Sequence, residues 1–267
     1  MAASEVWPNA PLALVAVEAR FPAATTSPLR PPVQRAIRDR LGADWVIEGA
    51  KQQTLEFAFG SGGAQTPNLK VEDLSRITSR DRTQAVTLRP ESLSIEATSY
   101  DGYASFRELI AAAFEAVEQV VSPDGLTRLG MRFIDEIRVP ADDDVDWAAW
   151  VDPSLLAPQA SGLDTESWTG MARYDTGDQR RLVLRYGPSD GPVVDPAGPL
   201  KRLSKPKPGP VFVLDFDSFW QPDTIPAFTE ADLLVACDEL RAPARTLFDQ
   251  LMTPRLVDEV FRKEPGG

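Results

Sequence analysis

Any chemistry in this chain has to be built from carboxylates, arginines, lysines and hydroxyls, because its 267 residues include no histidine and a single cysteine. That composition excludes Ser-His-Asp and Cys-His catalysis, histidine-ligated zinc or iron, and histidine pH switching. The sharpest candidate lies in the stretch Arg128 to Pro140, Arg-Leu-Gly-Met-Arg-Phe-Ile-Asp-Glu-Ile-Arg-Val-Pro. Leu129, Met131, Phe133, Ile137 and Val139 alternate with Arg132, Glu136 and Arg138, the period-two pattern of a strand with one buried face. Asp135 falls on the apolar side. A carboxylate there must find hydrogen-bond donors or a cation, since an unpaired buried charge is strongly unfavourable.

Further carboxylates and arginines sit on two later strand-like runs. Asp215 and Asp217 alternate with Phe212, Leu214 and Phe216, and Arg181 and Arg185 alternate with Leu182, Leu184 and Tyr186. Paired carboxylates can do acid and base work at a suitable separation, although an ordinary solvated strand face has the same spacing. Asp135, Arg132, Asp215 and Asp217 would make a carboxylate/arginine enzyme or a small-ligand-binding domain only by converging on one pocket. Asp142, Asp143, Asp144 and Asp146 could hold a divalent cation, but the spaced ligands and central glycine of a calcium loop are missing, so they read as an acidic helix start before Trp147. Gly60 to Gly63 follow a strand pattern, yet Gln-Thr-Pro-Asn comes next rather than a helix, so they read as a plain connection and not a phosphate loop. Cys237 lies on an apolar helical stripe and reads as a buried, inert thiol. Neither a metal site nor a cofactor site is expected.

The formal charge is −12 and the pI about 4.6, which argues against general affinity for nucleic acid or anionic membranes. The sequence has no apolar run of membrane-spanning length and no secretory leader pattern, and with one cysteine it reads as cytoplasmic. The positive charge that does cluster, Lys201, Arg202, Lys205 and Lys207, lies in a long proline-rich connection over residues 187–210. This reads as a mobile loop and a candidate docking arm for an acidic partner.

The elements that must position these groups follow from periodicity. Strands are expected over 11–21, 54–59, two or three segments between 74 and 99, 128–140, 166–174, 180–186 and 210–219. Helices are expected over 31–41, where Pro31 and Pro32 suit a first turn and Gly42 a stop. A second long helix carries Phe106, Leu109, Ile110, Ala113, Phe114, Val117 and Val121, with Ser105 and Glu108 spaced as a capping box. A third begins at Thr229, bears Leu233, Leu234, Cys237 and Leu240, and must kink or restart at Pro243; a short one follows Pro254. The order strand, helix, strands, long helix occurs twice. The fold class is therefore α+β, two pseudo-repeated halves of antiparallel sheet with long helices packed on one face. The organisation is a tail over 1–10, a first half over 11–125 and a second half over 126–267, together one continuous domain.

The order β-α-β-β-β-β-α resembles the TATA-binding-protein-like fold and, more loosely, helix-grip folds; it implies two sheets joined about a pseudo-twofold axis and does not carry DNA binding with it. Pro11-Leu12 to Arg20-Phe21, then Tyr100, Tyr103 and Phe106, then Gly130-Met131-Arg132-Phe133-Ile134-Asp135, together with Leu247-Phe248 and Met252-Thr253, resemble a sporadically distributed, poorly characterised bacterial family with a Gly-Leu-Arg-Tyr-Ile-Asn strand. The chain departs from it at Phe133, where Tyr is usual, and at Asp135, where Asn is usual. The resemblance implies a structural hydrogen-bonding role at Asp135, so that Asp135→Asn is tolerated and Asp135→Leu weakens the join between the halves. It implies no established activity, and the family's patchy distribution is like that of toxin-antitoxin or phage-defence genes.

The function expected on these grounds is a non-enzymatic protein-binding or regulatory module of a bacterial accessory system, with another protein as partner. A homo-oligomer is compatible with it, nucleic acid is not favoured, and no membrane is involved. The alternative is the carboxylate/arginine enzyme or small-ligand-binding domain. The residues that would carry either are Arg132, Asp135, Glu136, Arg181, Arg185, Asp215 and Asp217.

Overall fold

The computed structural model describes residues 7–22, 24–59, 65–140, 145–158, 165–192, 194, 198–202 and 209–263. In chain order they form β1 (Leu12–Arg20), α1 (Pro31–Leu41), β2 (Trp45–Phe59), β3 (Gln65–Ser79), β4 (Gln84–Arg89), β5 (Ser92–Ala97) and α2 (Tyr103–Val120). There follow β6 (Arg128–Ile137), two single 3-10 turns at Trp147–Ala149 and Pro153–Leu155, β7 (Gly170–Gly177), β8 (Arg180–Ser189), β9 (Val211–Trp220), α3 (Glu230–Leu251) and α4 (Pro254–Leu256). The chain is α+β, as its two periodicities require.

All nine strands join one antiparallel sheet in the order β2-β3-β4-β5-β1-β6-β9-β8-β7. Each half opens with a central strand, β1 or β6, and these two pair antiparallel with Ala16 opposite Arg132 and Val17 opposite Met131. The remaining strands of each half then fold back beside it, and a long helix closes each half. The first half has the order β-α-β-β-β-β-α; among the described residues the second has one strand fewer, and 3-10 turns stand where α1 stands in the first. The expected strand at 54–59 is the distal part of the much longer β2, and the expected strand at 166–174 lies later, at β7. Gly60 to Gly63 lie outside the described residues.

The helices cover one face, because one parity of each central strand is apolar. Ala13, Val15, Val17 and Ala19 of β1 are buried, as are Leu129 and Met131 of β6 and Phe212, Leu214 and Phe216 of β9. The apolar side chains divide into two cores. One gathers β1, β4, β5, α1, α2 and the first half of α3 through Leu233, Leu234, Cys237 and Leu240. The other gathers β8, β9, the 3-10 turns, α4 and the second half of α3 through Ala244, Phe248 and Leu251. Phe133 touches both. α3 thus bridges the halves, and it runs through Pro243 as a single helix instead of restarting there. Packing of its apolar stripe on two cores outweighs the roughly 3 kcal/mol that an interior proline costs.

The capping-box expectation for α2 is corrected. The helix begins at Tyr103, two residues before Ser105, with Gly102 as N-cap at φ 116° and no side-chain cap. A tertiary anchor takes the place of the cap: the Tyr103 hydroxyl donates to Asp238 of α3 at 2.6 Å, and Arg107 donates to the same carboxylate at 3.0 Å. Thr229 does cap α3, accepting from the Asp232 amide, as its sequence spacing predicts.

Candidate functional site

A cavity of about 800 Å³ opens at the seam between the two cores. Its floor is the end of β6, with Phe133 and Asp135, and Phe216 of β9. One wall is the lead-in and first turn of α2 from Tyr100 to Ala104; the other is α3, with Arg241, Ala244, Arg245 and Phe248. Trp7 to Leu12, entering β1, close it. Residues from five separated stretches meet here, and three of those stretches hold motifs singled out by the sequence alone: Pro11-Leu12, Tyr100 with Tyr103, and Phe133 with Asp135. The volume is that of an ordinary small-molecule site.

The strand register explains why Asp135 reaches this cavity. It pairs with Leu214 in β9, so it shares the helix-covered face with Phe133 and Phe216, while its neighbour Ile134 pairs with Asp215 on the opposite face. Asp135 is 4% exposed and has no hydrogen-bond partner among the described residues. Burial pushes its carboxyl up to about 8, with Arg245 pulling the other way, so that it is largely neutral at pH 7. A second orphan belongs to another residue of the lining: the Trp7 indole N–H is buried without an acceptor. Buried polar groups are nearly always paired, and those that are not call for an explanation.

The remaining polar groups of the cavity are held by their neighbours. The Arg241 guanidinium lies 4.4 Å from the centroid of the Tyr103 ring, and Arg245 lies over Trp7 and Phe248 at 5.9 and 5.7 Å while binding Asp249 at 2.8 Å. Burial raises the Tyr100 and Tyr103 hydroxyls, the latter also through its bond to Asp238, so both stay protonated. Against the upward push of its own burial, bonds from Arg107 and Tyr103 hold Asp238 below the usual carboxylate range.

The other expected site residues lie elsewhere. Arg132, Asp215, Asp217, Arg181 and Arg185 all sit on the open, helix-free face, so they do not converge with Asp135. They are paired with one another or with neighbours. Arg132 grips Asp215 with two bonds of 2.7 and 2.8 Å, which raises the arginine further, and Asp215, with its side chain 9% exposed, also has Arg185 at 3.6 Å. Asp217 has Arg128 at 3.6 Å, and Arg128 binds Glu18 at 3.1 Å. Arg181 binds Asp175 at 2.8 Å. The solvated face read from the sequence is therefore a ladder of ion pairs, because β9 and then β8 pair beside β6 within the second half.

Glu136 departs most from its strand pattern. Its side chain is fully buried, accepting from Arg202, from Arg138 and from the Val194 amide at 3.1 Å. Arg202 thus serves inside the protein rather than on a docking arm. Its neighbour Lys201 is exposed, and its backbone joins the segment to the β3–β4 turn and the end of β5, bonding Arg82 at 2.8 Å and Thr98 at 2.7 Å. Lys205 and Lys207 lie outside the described residues, as do Asp142, Asp143 and Asp144. Asp146 caps the first 3-10 turn by accepting from the Ala148 amide. Cys237 is buried and its thiol is pushed up to about 12 by burial.

Sequence reasoning missed Trp7, Tyr100, Arg241 and Arg245 as site residues. The two arginines had a signal, since they stand four apart on α3 beside its buried stripe. The chain matches no protein-family model and no curated protein. Among the described residues no helix is long and apolar enough to cross a membrane.

Proposed function

We propose that this protein is a binding module for a small organic molecule, held without covalent chemistry in the cavity between α2, α3 and the β6 end of the sheet. The observation that carries this reading is Asp135, a buried carboxyl that lines the cavity and has no hydrogen-bond partner among the described residues. Such a group lowers stability, and a ligand that satisfies it returns that free energy as affinity. The aromatic walls supply apolar contact and the polar groups fix orientation, the usual division of labour in a ligand pocket. An acid–base enzyme is supported less well, because Asp135 and the pair Asp215 and Asp217 lie on opposite faces of the sheet and cannot act on one substrate. Thermal unfolding in the presence of a broad library of small organic compounds tests the reading. A true ligand at a hundred times its Kd adds about 2.7 kcal/mol and raises the melting temperature by several degrees. If nothing in such a library shifts the transition, or if the shift survives filling the cavity by Ala244→Trp, the reading fails.

A second reading, the protein-docking module of a bacterial accessory system, is favoured by one observation. β7 is a sheet edge, and it exposes Met171 and Tyr174. An exposed edge strand is a template for strand addition. A partner bound there would be lost on Met171→Lys and untouched by changes in the cavity.

A further inference from the structure

We propose that the ligand of this cavity is a small organic anion with a flat apolar body, its acidic group lodged between the first turn of α2 and Arg241 and its ring against Trp7, Phe133 and Phe248. The inference rests on the small-ligand reading and adds its chemistry.

Donors outnumber acceptors in the cavity. The 18-residue helix α2 presents its first turn there without a side-chain cap, leaving backbone N–H groups and the positive end of the helix dipole directed at the space. Arg241 has no carboxylate within ion-pair distance among the described residues, although it lines the same wall. Arg245 adds a second guanidinium, which also pairs with Asp249. The acidic groups in the lining itself are Asp101, which is exposed and screened by solvent, and Asp135, while Asp249 pairs with Arg245 and Asp238 interacts with Arg241 from outside it. Asp135 in its neutral form is itself a donor and completes the set.

The aromatic groups set the shape. Trp7 stacks on Phe261 at 5.0 Å and leans on Phe248 at 6.0 Å, and Phe216 meets Phe248 edge to face at 6.1 Å. Rings so fixed present flat faces, which favour a planar guest over a branched aliphatic one.

Asp135 makes the binding pH-dependent with a definite sign. The groups that face it are Arg241 and Arg245 from α3 and Tyr100, Asp101 and Tyr103 from α2 and its lead-in; Trp7 to Leu12 and Phe216 add no titrating side chain. Of these, burial keeps both tyrosine hydroxyls protonated, and Asp135 is the group whose charge changes. Below about pH 8 it donates to the anion, and above it the carboxylate repels the same anion.

Isothermal titration of the full chain with benzoate and adenosine 5′-monophosphate, each against its neutral counterpart benzamide or adenosine, tests this. At about pH 6.5 at least one acid is expected to bind roughly tenfold or more tightly than its neutral counterpart, a charge-assisted contact being worth that much. Whichever acid wins distinguishes a carboxylate from a phosphate. Arg241→Gln should erase the acid's advantage and leave the neutral compound's affinity unchanged. Raising the pH to about 9 should weaken the acid several-fold in the native protein and not in Asp135→Asn, which keeps a neutral donor at every pH. Neutral compounds that bind as well as the acids would overturn the anion assignment and leave the small-ligand reading standing. Affinity that rises with pH would overturn it too, by making Asp135 an acceptor for a cationic group. Silence from all four probes overturns the assignment, and the library screen then decides the reading.

Discussion

The two faces of the sheet carry the same kinds of residue and use them in opposite ways. On the open face Arg132, Arg128, Arg181 and Arg185 each meet a carboxylate, and the face is closed upon itself as a ladder of pairs. On the helix-covered face, among the described residues, Asp135 and the Trp7 indole have no hydrogen-bond partner. Paired charges on a half-exposed surface contribute a modest amount to stability and ask nothing of a ligand. Orphaned groups at a cavity cost stability, and that cost is the sign of a site held ready. The contrast teaches that residue type was a poor guide here. Asp215 and Asp135 look alike in sequence, but only one is left unsatisfied.

The sharpest break in this comparison comes from pH. Asp135 has its folded-state carboxyl raised from 3.8 to about 8, so the native state binds the extra proton and stability falls as pH rises from about 4 to about 8. The Asp135→Asn variant, free of that penalty, should exceed the native protein above pH 8 by on the order of 5 kcal/mol in urea unfolding, and the two should converge near pH 4. Asp135→Leu should also be stabilised, the reverse of what the family resemblance implied, because Asp135 has no hydrogen bond among the described residues for leucine to break. A loss of stability in Asp135→Leu at high pH would mean the carboxylate is paired after all.

Next in size is Glu136→Ala, which strands Arg202 and the Val194 amide. A loss of about 3 kcal/mol is expected, with new cleavage between Gly191 and Gly209 in limited proteolysis. Arg132→Met on the open face should cost less, about 1 to 2 kcal/mol, because Asp215 keeps Arg185 and Arg132 is itself 48% exposed. That variant should leave ligand binding in the cavity unchanged, and a weakened ligand would dissolve the distinction between the faces. The smallest effect is Lys201→Ala, within about 0.5 kcal/mol, since among the described residues only the backbone of Lys201 is bonded.

Much of the architecture was legible because it rests on local pattern. The alternation in β1, β6, β8 and β9, the stripe of α2 from Phe106 to Val117, and the Thr229 cap each follow from period or side-chain chemistry within a few residues. The misses share one cause, a contact far away in sequence. Ser105 has a better local cap than Gly102, but Tyr103 is drawn into the helix by Asp238, 135 residues on. Pro243 should kink or restart a helix, and α3 runs on without a restart because it is held by two cores. Glu136 reads as solvent-facing until Arg202 and Val194 arrive from the connection between β8 and β9.

By itself the sequence determined that the fold is α+β, that it begins again near Arg128, and that no histidine chemistry is available. It also placed Asp135 on an apolar face, because a strand's alternation is read two residues at a time. Only the tertiary structure decided which carboxylates would be neutralised, since pairing depends on which strands become neighbours. The β6–β9 register gave Asp215 to Arg132, and the packing of α3 across the seam left Asp135 facing the cavity without a hydrogen-bond partner among the described residues.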